Sequence, residues 1–598
     1  MAYLPWLEGK NRQSLATEAF GGINRSAKAG DGEFENMRNM TGAQYPLLAP
    51  RKKRGLVKVL EKPLGLIAKE QLCYVDGNRL YYNGEAVEGL ELTAGDVPRQ
   101  LVSMGAYVIV WPDAVYFNTA DPADKGSINA SNESAGGETV SLALCRIDGS
   151  DYENVTIGSE TPENPENNAY WLDTTKEGHG LKVYSTAMGA WSTVTTVYVR
   201  ISAAGIGKDL RVDDGVEVSG LVYTGDNETL KAQIESLNTT HLIYDVKDDY
   251  IVVVGLIDGV HEQTEAITVR REAPKMDYIT ESENRLWGCY YGKTESGETL
   301  NEIYACRQGD FKNWRSYANV SMDSYAVSVG SDGAFTGAVT YGGYPTFFKE
   351  KCIHKIYGTR PANYQVMTTQ CRGVQLGSFQ SLAIVEGTLF YKSPTDIVAY
   401  DGSLPVCMSR KLGDVNAKNA VAGALRERYY ISMQDAVTDE WEMYVYDTVN
   451  STWHKEDETQ AVAFAEHGGE LYCLSVKGQL FTVNGLAGVR EADFEWHALS
   501  ALKGYEYETR KTTARYNIRA KVEAGAWCAM EIEYDSDGIW HPCGVMKSET
   551  PTIRTFLLPV RPRRCDHWRM RLRGRGDVQI YSIYRKLADG GDGQSGSR

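Results

Sequence analysis

Apolar and polar residues alternate along most of this chain with a period of two. "CYVDGNRLYYNG" at 73–84, "YVIVWPDAVYFN" at 107–118 and "NRLWGCYYGKTESGETLNEIYACR" at 284–307 each set alternating runs around a short turn. Such alternation turns one face of a strand to a core and the other to solvent, and Asp-Gly or Asn-Gly supplies the positive φ that closes a hairpin. The same texture returns at 247–259, 388–402 ("TLFYKSPTDIVAYDG"), 442–457 and 470–485. Helical spacing is best developed in "NETLKAQIESLN" at 227–238, where Leu230, Ile234 and Leu237 share one face. The pattern predicts a mainly β protein.

The hairpins cluster in two blocks, 56–123 and 275–495. Their loose repeat is about 40–50 residues wide, the length of a four-stranded antiparallel blade, and a single blade cannot bury both its faces. The expectation is a β-propeller, with a pair of ordinary sandwiches as the competing arrangement. On this reading residues 1–55 are an N-terminal arm joining the propeller and 56–123 hold the first blade or blades. Residues 124–274, with a Ser/Asn/Gly-rich start and two tryptophans, are inserted β-rich domains. Residues 275–495 hold the remaining blades, 496–588 alternate cleanly as a C-terminal β-sandwich, and the Gly/Ser-rich 589–598 is expected to be disordered.

At 598 residues the chain is too long for one core. With 42% apolar and 24% charged residues it has globular composition. No run approaches the ~20 apolar residues of a membrane helix, and "MAYLPWLEGKNRQ" has no basic-then-apolar pattern, so no secretion signal is expected. The 11 cysteines include no CxxC pair, and Cys352, Cys371 and Cys473 sit in apolar or aromatic runs. Free buried thiols are expected, and neither disulfides nor zinc.

A net charge of −16 argues against a general nucleic-acid binder. Local basic stretches run against it. "RKKR" occupies 51–54, and residues 551–575 carry eight arginines against one acid, Asp566. Arginine pairs bidentately with carboxylates, which makes Arg563, Arg564, Arg569, Arg571 and Arg573 candidates for an interface with an acidic neighbour; a solvated surface is the plainer reading.

GxSxG, HExxH and Walker patterns do not occur. The expectation is a protein without catalytic, metal or cofactor residues, and not an enzyme. His354, between Ile353 and Lys355 on a strand, is expected to be structural. "YDSDGIW" at 534–540 reads as a hairpin turn, because the later glutamate of a calcium loop is missing. Trp171 and Trp191 with Asp173 could form an aromatic platform for a sugar; core packing of a small sandwich is the plainer reading.

"FGGINRS" at 20–26, followed by "DGEFENMRNMTGAQYPLLAPRKKRG" at 31–55, resembles the opening of a family of tailed-bacteriophage virion proteins. "ENRLWG" at 283–288, "FKNWRSY" at 311–317, "GYPTFFKEKCIHKIYG" at 343–358 and "GVQLGSFQSLAIVEGTLFYKSPTDIVAYDG" at 373–402 are similar to the propeller of the tail nozzle, or packaged-DNA stabilisation (tail hub), family. "RCDHWRMRLRGRGDVQIYSI" at 564–583 resembles a closing tail-protein sandwich. The insertion at 124–274 departs from the resemblance. What it implies is a homo-oligomeric ring, a hexamer, located in the virion tail and assembled in the host cytoplasm. Its partners would be adaptor or portal-associated proteins, tail fibre or spike proteins, and genomic DNA passing the lumen without sequence recognition. The ring would retain the packaged genome and open for ejection. The alternative is a tail protein that binds host-surface glycan.

Overall fold

The computed structural model describes residues 12–589 apart from 28, 295–296, 319, 505–509 and 562. Of the tail expected at 589–598, all but residue 589 lies outside the described residues, as does 1–11 of the N-terminal arm. The chain is mainly β and divides into two compact units. One comprises 1–99, 348–353 and 369–598; the other comprises 100–347 and 354–368.

In the first unit the alternating stretches fold into sheets built on antiparallel runs of three or four strands. One runs from Pro63–Ala68 through Leu72–Asp76 and Arg79–Tyr82 to Glu85–Glu91. The "TLFYKSPTDIVAYDG" stretch supplies Thr388–Lys392 and Ile397–Tyr400 to a second. A third starts at Ala417–Leu425 and ends at Thr452–Lys455. The fourth, Ala461–His467, Glu470–Ser475 and Gln479–Thr482, takes its next strand from far away, because Gly55–Val59 pairs antiparallel with Gln479–Thr482. Small residues let these sheets approach. A Cβ at Gly423 would lie 2.4 Å from the Phe464 Cβ.

The N-terminal arm, expected to join the blades, pairs mainly with the C-terminal strands. Arg12–Thr17 lies against Val578–Asp589, and Glu33–Arg38 lies against Glu495–Ser500. Gly22 also pairs with Trp453, which links the third sheet to the C-terminal strands in one ten-stranded sheet. The second C-terminal sheet is Arg12–Thr17, Val578–Asp589, Lys511–Val522 and Thr552–Pro559. Tyr516, Ile518, Met530, Ile532, Met570 and Leu572 from the two sheets share one core, and N-terminal strands belong to both.

The second unit contains the sheets Gln100–Met104 to Lys125–Ser127 and Tyr278–Ser282 to Tyr325–Ser328. Lys125–Ser127 completes the first of these, so the insertion starts after it rather than at 124. Two sheets of the insertion enclose Val140, Leu142, Val199, Ile201, Val218 and Ile251. The helix of the insertion is Glu228–Leu237, capped by the Asn227 side chain, which accepts from the Thr229 and Leu230 amides, and it buries Ile234 and Leu237. The insertion is clamped to residues 307–315. Asn313 donates to the Asp213 carbonyl at 2.6 Å and accepts from the Gly215 amide at 3.1 Å. Arg307 pairs with Asp213, and Arg315 with Glu217. Gly337–Tyr341 is a further strand of this unit.

Candidate functional site

The "RKKR" knot is two different pairs of residues. Arg51 and Arg54 are buried, whereas Lys52 and Lys53 are exposed. The chain enters Gly55–Val59 here, and its pairing with Gln479–Thr482 carries the two arginines to residues 456–457 and 491. Arg54 meets Glu456 and Asp457, each at 2.7 Å. Arg51 pairs with Glu491, whose Oε1 also accepts the Arg54 backbone N–H. The guanidinium of Arg51 stacks on Phe494 and that of Arg54 on Phe481, 4.1 and 4.6 Å from the ring centres. Burial pushes the Asp457 carboxyl up, but Arg54 and Arg51 outweigh it and leave it below its ordinary value.

These ion pairs form one wall of a cleft of about 1080 Å³ in the first unit. Its cations are Arg38, Arg51, Arg54, Lys477 and Arg490; its carboxylates are Asp439, Glu440, Asp457, Glu458 and Glu491. Arg38 pairs with Glu458 at 2.7 Å. Trp441, Gln460 and Gln479 also line it. Sequence reasoning missed this site. Its parts are separated by some 400 residues, and only the basic spelling of 51–54 marked one edge.

The tryptophans of the insertion lie together on a small sheet of Val155–Gly158, Tyr170–Asp173, Gly180–Ser185 and Ala190–Thr193. Trp171 is 5% exposed and donates its indole N–H to the Gly158 carbonyl at 2.9 Å. Its ring meets Trp191 edge-on, with centres 5.5 Å apart. Lys182 lies over it and also donates to Asp173 at 2.6 Å, and that hydrogen bond draws the Asp173 carboxyl down to about 2. Asp173 is itself buried. The platform that Trp171, Asp173 and Trp191 offered as an alternative therefore presents only the half-buried Trp191, beside Tyr184 at 5.3 Å, because burying Trp171 is what gives so small a sheet a core.

The arginine-rich strand is Trp568–Arg575, with Trp568, Met570 and Leu572 inward and the arginines outward. The acidic neighbour of three of them is a strand of the same chain. Arg569 stands opposite Glu533 and Arg571 opposite Glu531. Each pair is closed by an ion pair, and Arg573 also reaches Glu531 at 2.9 Å. Arg571 covers Trp540 at 4.2 Å. Arg563 pairs with Asp537 at 2.8 Å, in the 534–540 turn, and Arg564 is exposed.

His354 is buried, with Ser331 and Thr368 hydroxyls at 2.8 and 2.9 Å from its two ring nitrogens. All 11 cysteines are free thiols. Among the described residues no group of three or more His, Cys, Asp or Glu is arranged to hold a metal ion, and no helix is long and apolar enough to cross a membrane.

No family model matches the chain, and no curated protein matches it. Among solved structures it is similar to an exo-β-1,3-galactanase from Phanerochaete chrysosporium, at 8% identity and a TM-score of 0.20, covering 51% of this chain and 94% of that one. It is also similar to a glycoside hydrolase family 43 arabinoxylan arabinofuranohydrolase from Bacillus subtilis, at 9% identity and a TM-score of 0.15, with the same coverage. The expectation that the chain is not an enzyme is withdrawn on this finding, since these neighbours are glycoside hydrolases. At such TM-scores the likeness assigns no activity.

Proposed function

We propose that this chain is a structural protein of a phage virion tail, a nozzle or hub subunit, whose four-stranded sheets are the blades of a β-propeller and which assembles as a homo-oligomeric ring. Packing inside each unit supports the propeller. Ala461–His467, the first strand of its sheet, lies against the first strands Ala417–Leu425 and Pro63–Ala68; in the other unit Tyr278–Ser282 lies against Gln100–Met104 and Gly337–Tyr341. A propeller buries blade faces in this way, and Gly55–Val59 would complete a blade formed about 400 residues later.

The observation that carries the tail reading is where its signature residues lie. Phe20, Ile23, Phe34, Met37, Met40 and Leu48, all within the stretch that resembles the nozzle family, are buried in one core. Arg51 and Arg54 of the same stretch form the clamp to Glu456, Asp457 and Glu491. Residues so committed define a fold, and head-to-tail contacts between rigid copies close naturally into rings. Negative-stain imaging and sedimentation of the purified chain test the proposal. Closed rings with a central hole are expected, and a chain that stays monomeric in isolation and in the particle overturns it.

Trp191, half-buried beside Tyr184 on the small sheet of the insertion, favours a second reading, recognition of host-surface glycan by the same tail. Binding of the purified chain to host cells, competed by oligosaccharides released from the host surface, is its test.

A further inference from the structure

We propose that the cleft beside Trp441 is a binding site for a neutral oligosaccharide. The inference rests on the glycan reading and gives it a different site from the tryptophans of the insertion, where Trp171 and Asp173 are already committed to each other's neighbours.

Size favours an extended ligand. At about 1080 Å³ the cleft exceeds the roughly 300–1,000 Å³ of small-molecule pockets, so a chain of several sugars fits it better than one. Charge excludes the polyanions. Five cationic side chains face five carboxylates, so the lining gives DNA or a sulfated chain no net attraction, whereas phosphate-tracking sites are strongly positive. A neutral sugar needs no net charge. Its hydroxyls donate to carboxylates and accept from guanidinium and amide N–H groups, so a mixed lining serves it on both counts.

The lining also has groups left over for a ligand. Among the described residues no hydrogen bond engages the Gln460 or Gln479 side-chain amides or the Trp441 indole N–H. The half-buried Trp441 offers part of its ring as an apolar surface for the C–H face of a sugar. The Arg38–Glu458 and Arg54–Asp457 pairs, each 2.7 Å long, hold their polar groups in place before any ligand arrives, which lowers the ordering cost of binding.

The test is calorimetric titration of the full chain with maltotetraose, cellotetraose and chitotetraose, and with a heparin tetrasaccharide as the polyanion. At least one neutral tetrasaccharide binds with a millimolar or tighter Kd, and Trp441→Ala weakens it by about tenfold or more, equivalent to roughly 1.4 kcal/mol. Gln479→Ala, at an exposed position that leaves the core intact, weakens it about threefold. Tighter binding of heparin than of every neutral sugar overturns the proposal. So does wild-type affinity in both variants; if Trp191→Ala then abolishes binding, the glycan reading stands and only the cleft is wrong. If no neutral tetrasaccharide binds at up to about 10 mM, both fall.

Discussion

Arg54 and Glu456 meet at 2.7 Å with side chains only 8% and 4% exposed. Replacing Arg54 by Leu strands Glu456 in a desolvated site and leaves Asp457 only the more distant Arg51, at 3.9 Å, as a cation. Breaking a buried pair from one side costs about 3–5 kcal/mol, and a drop in the urea midpoint of the first unit is the measurement. Asp457 adds a pH dependence. Its folded pKa lies below the unfolded value of about 3.9, so its contribution is present above that value and is lost as pH falls through the depressed one.

His454 tests a different window. It is 3% exposed, and burial, with Arg428 adding to it and Asp447 opposing, brings its pKa down to about 4. The unfolded chain binds a proton near pH 6.5 that the folded chain refuses until about pH 4. Stability therefore declines as pH falls from 6.5 to 4 and levels off below, by about 3 kcal/mol at most. Thermal midpoints across this range should fall for the wild type and stay flatter for His454→Gln.

Gly22, in the "FGGINRS" stretch, has φ +73° and would set a Cβ 2.2 Å from the Trp453 carbonyl oxygen. Gly22→Ala is both strained and clashing. It should cost more than about 2 kcal/mol and lower the yield of folded protein, as read by the denaturation midpoint.

Trp171 and Trp191 should separate cleanly. Truncating buried Trp171 removes much of the core of its sheet, and Trp171→Ala should cost about 3–5 kcal/mol, seen as early proteolytic cleavage within 155–193. Trp191→Ala removes a half-buried ring and should leave that region protease-resistant.

Nine of the 11 cysteines are buried; Cys371 and Cys407 are partly exposed. Burial pushes Cys73 up to about 12 and Cys371 up to about 11, so thiolate is scarce at neutral pH. A thiol reagent should label at most about two groups slowly in the native chain and all 11 after unfolding. Rapid native labelling of many thiols would contradict the packing described.

Elements were more legible than their partners. "NETLKAQIESLN" announced its helix within one residue at each end, since Asn227 is a capping residue and the apolar spacing is local. The arginines of 563–573 were legible as a cluster, but their spacing could not reveal that Glu531 and Glu533 would stand opposite Arg571 and Arg569. That juxtaposition depends on the register of Trp527–Tyr534 against Trp568–Arg575, which is set by which faces are buried.

The chain by itself determined a mainly β architecture, its turns, its free thiols and the absence of the familiar catalytic signatures, because each follows from residues within a few positions of one another. Tertiary structure alone decided that Gly55–Val59 joins Gln479–Thr482 and that half of "RKKR" becomes a buried clamp. Strand pairing and burial are set by distant partners competing for the same faces and edges, and a short stretch of sequence carries no record of which partner prevails.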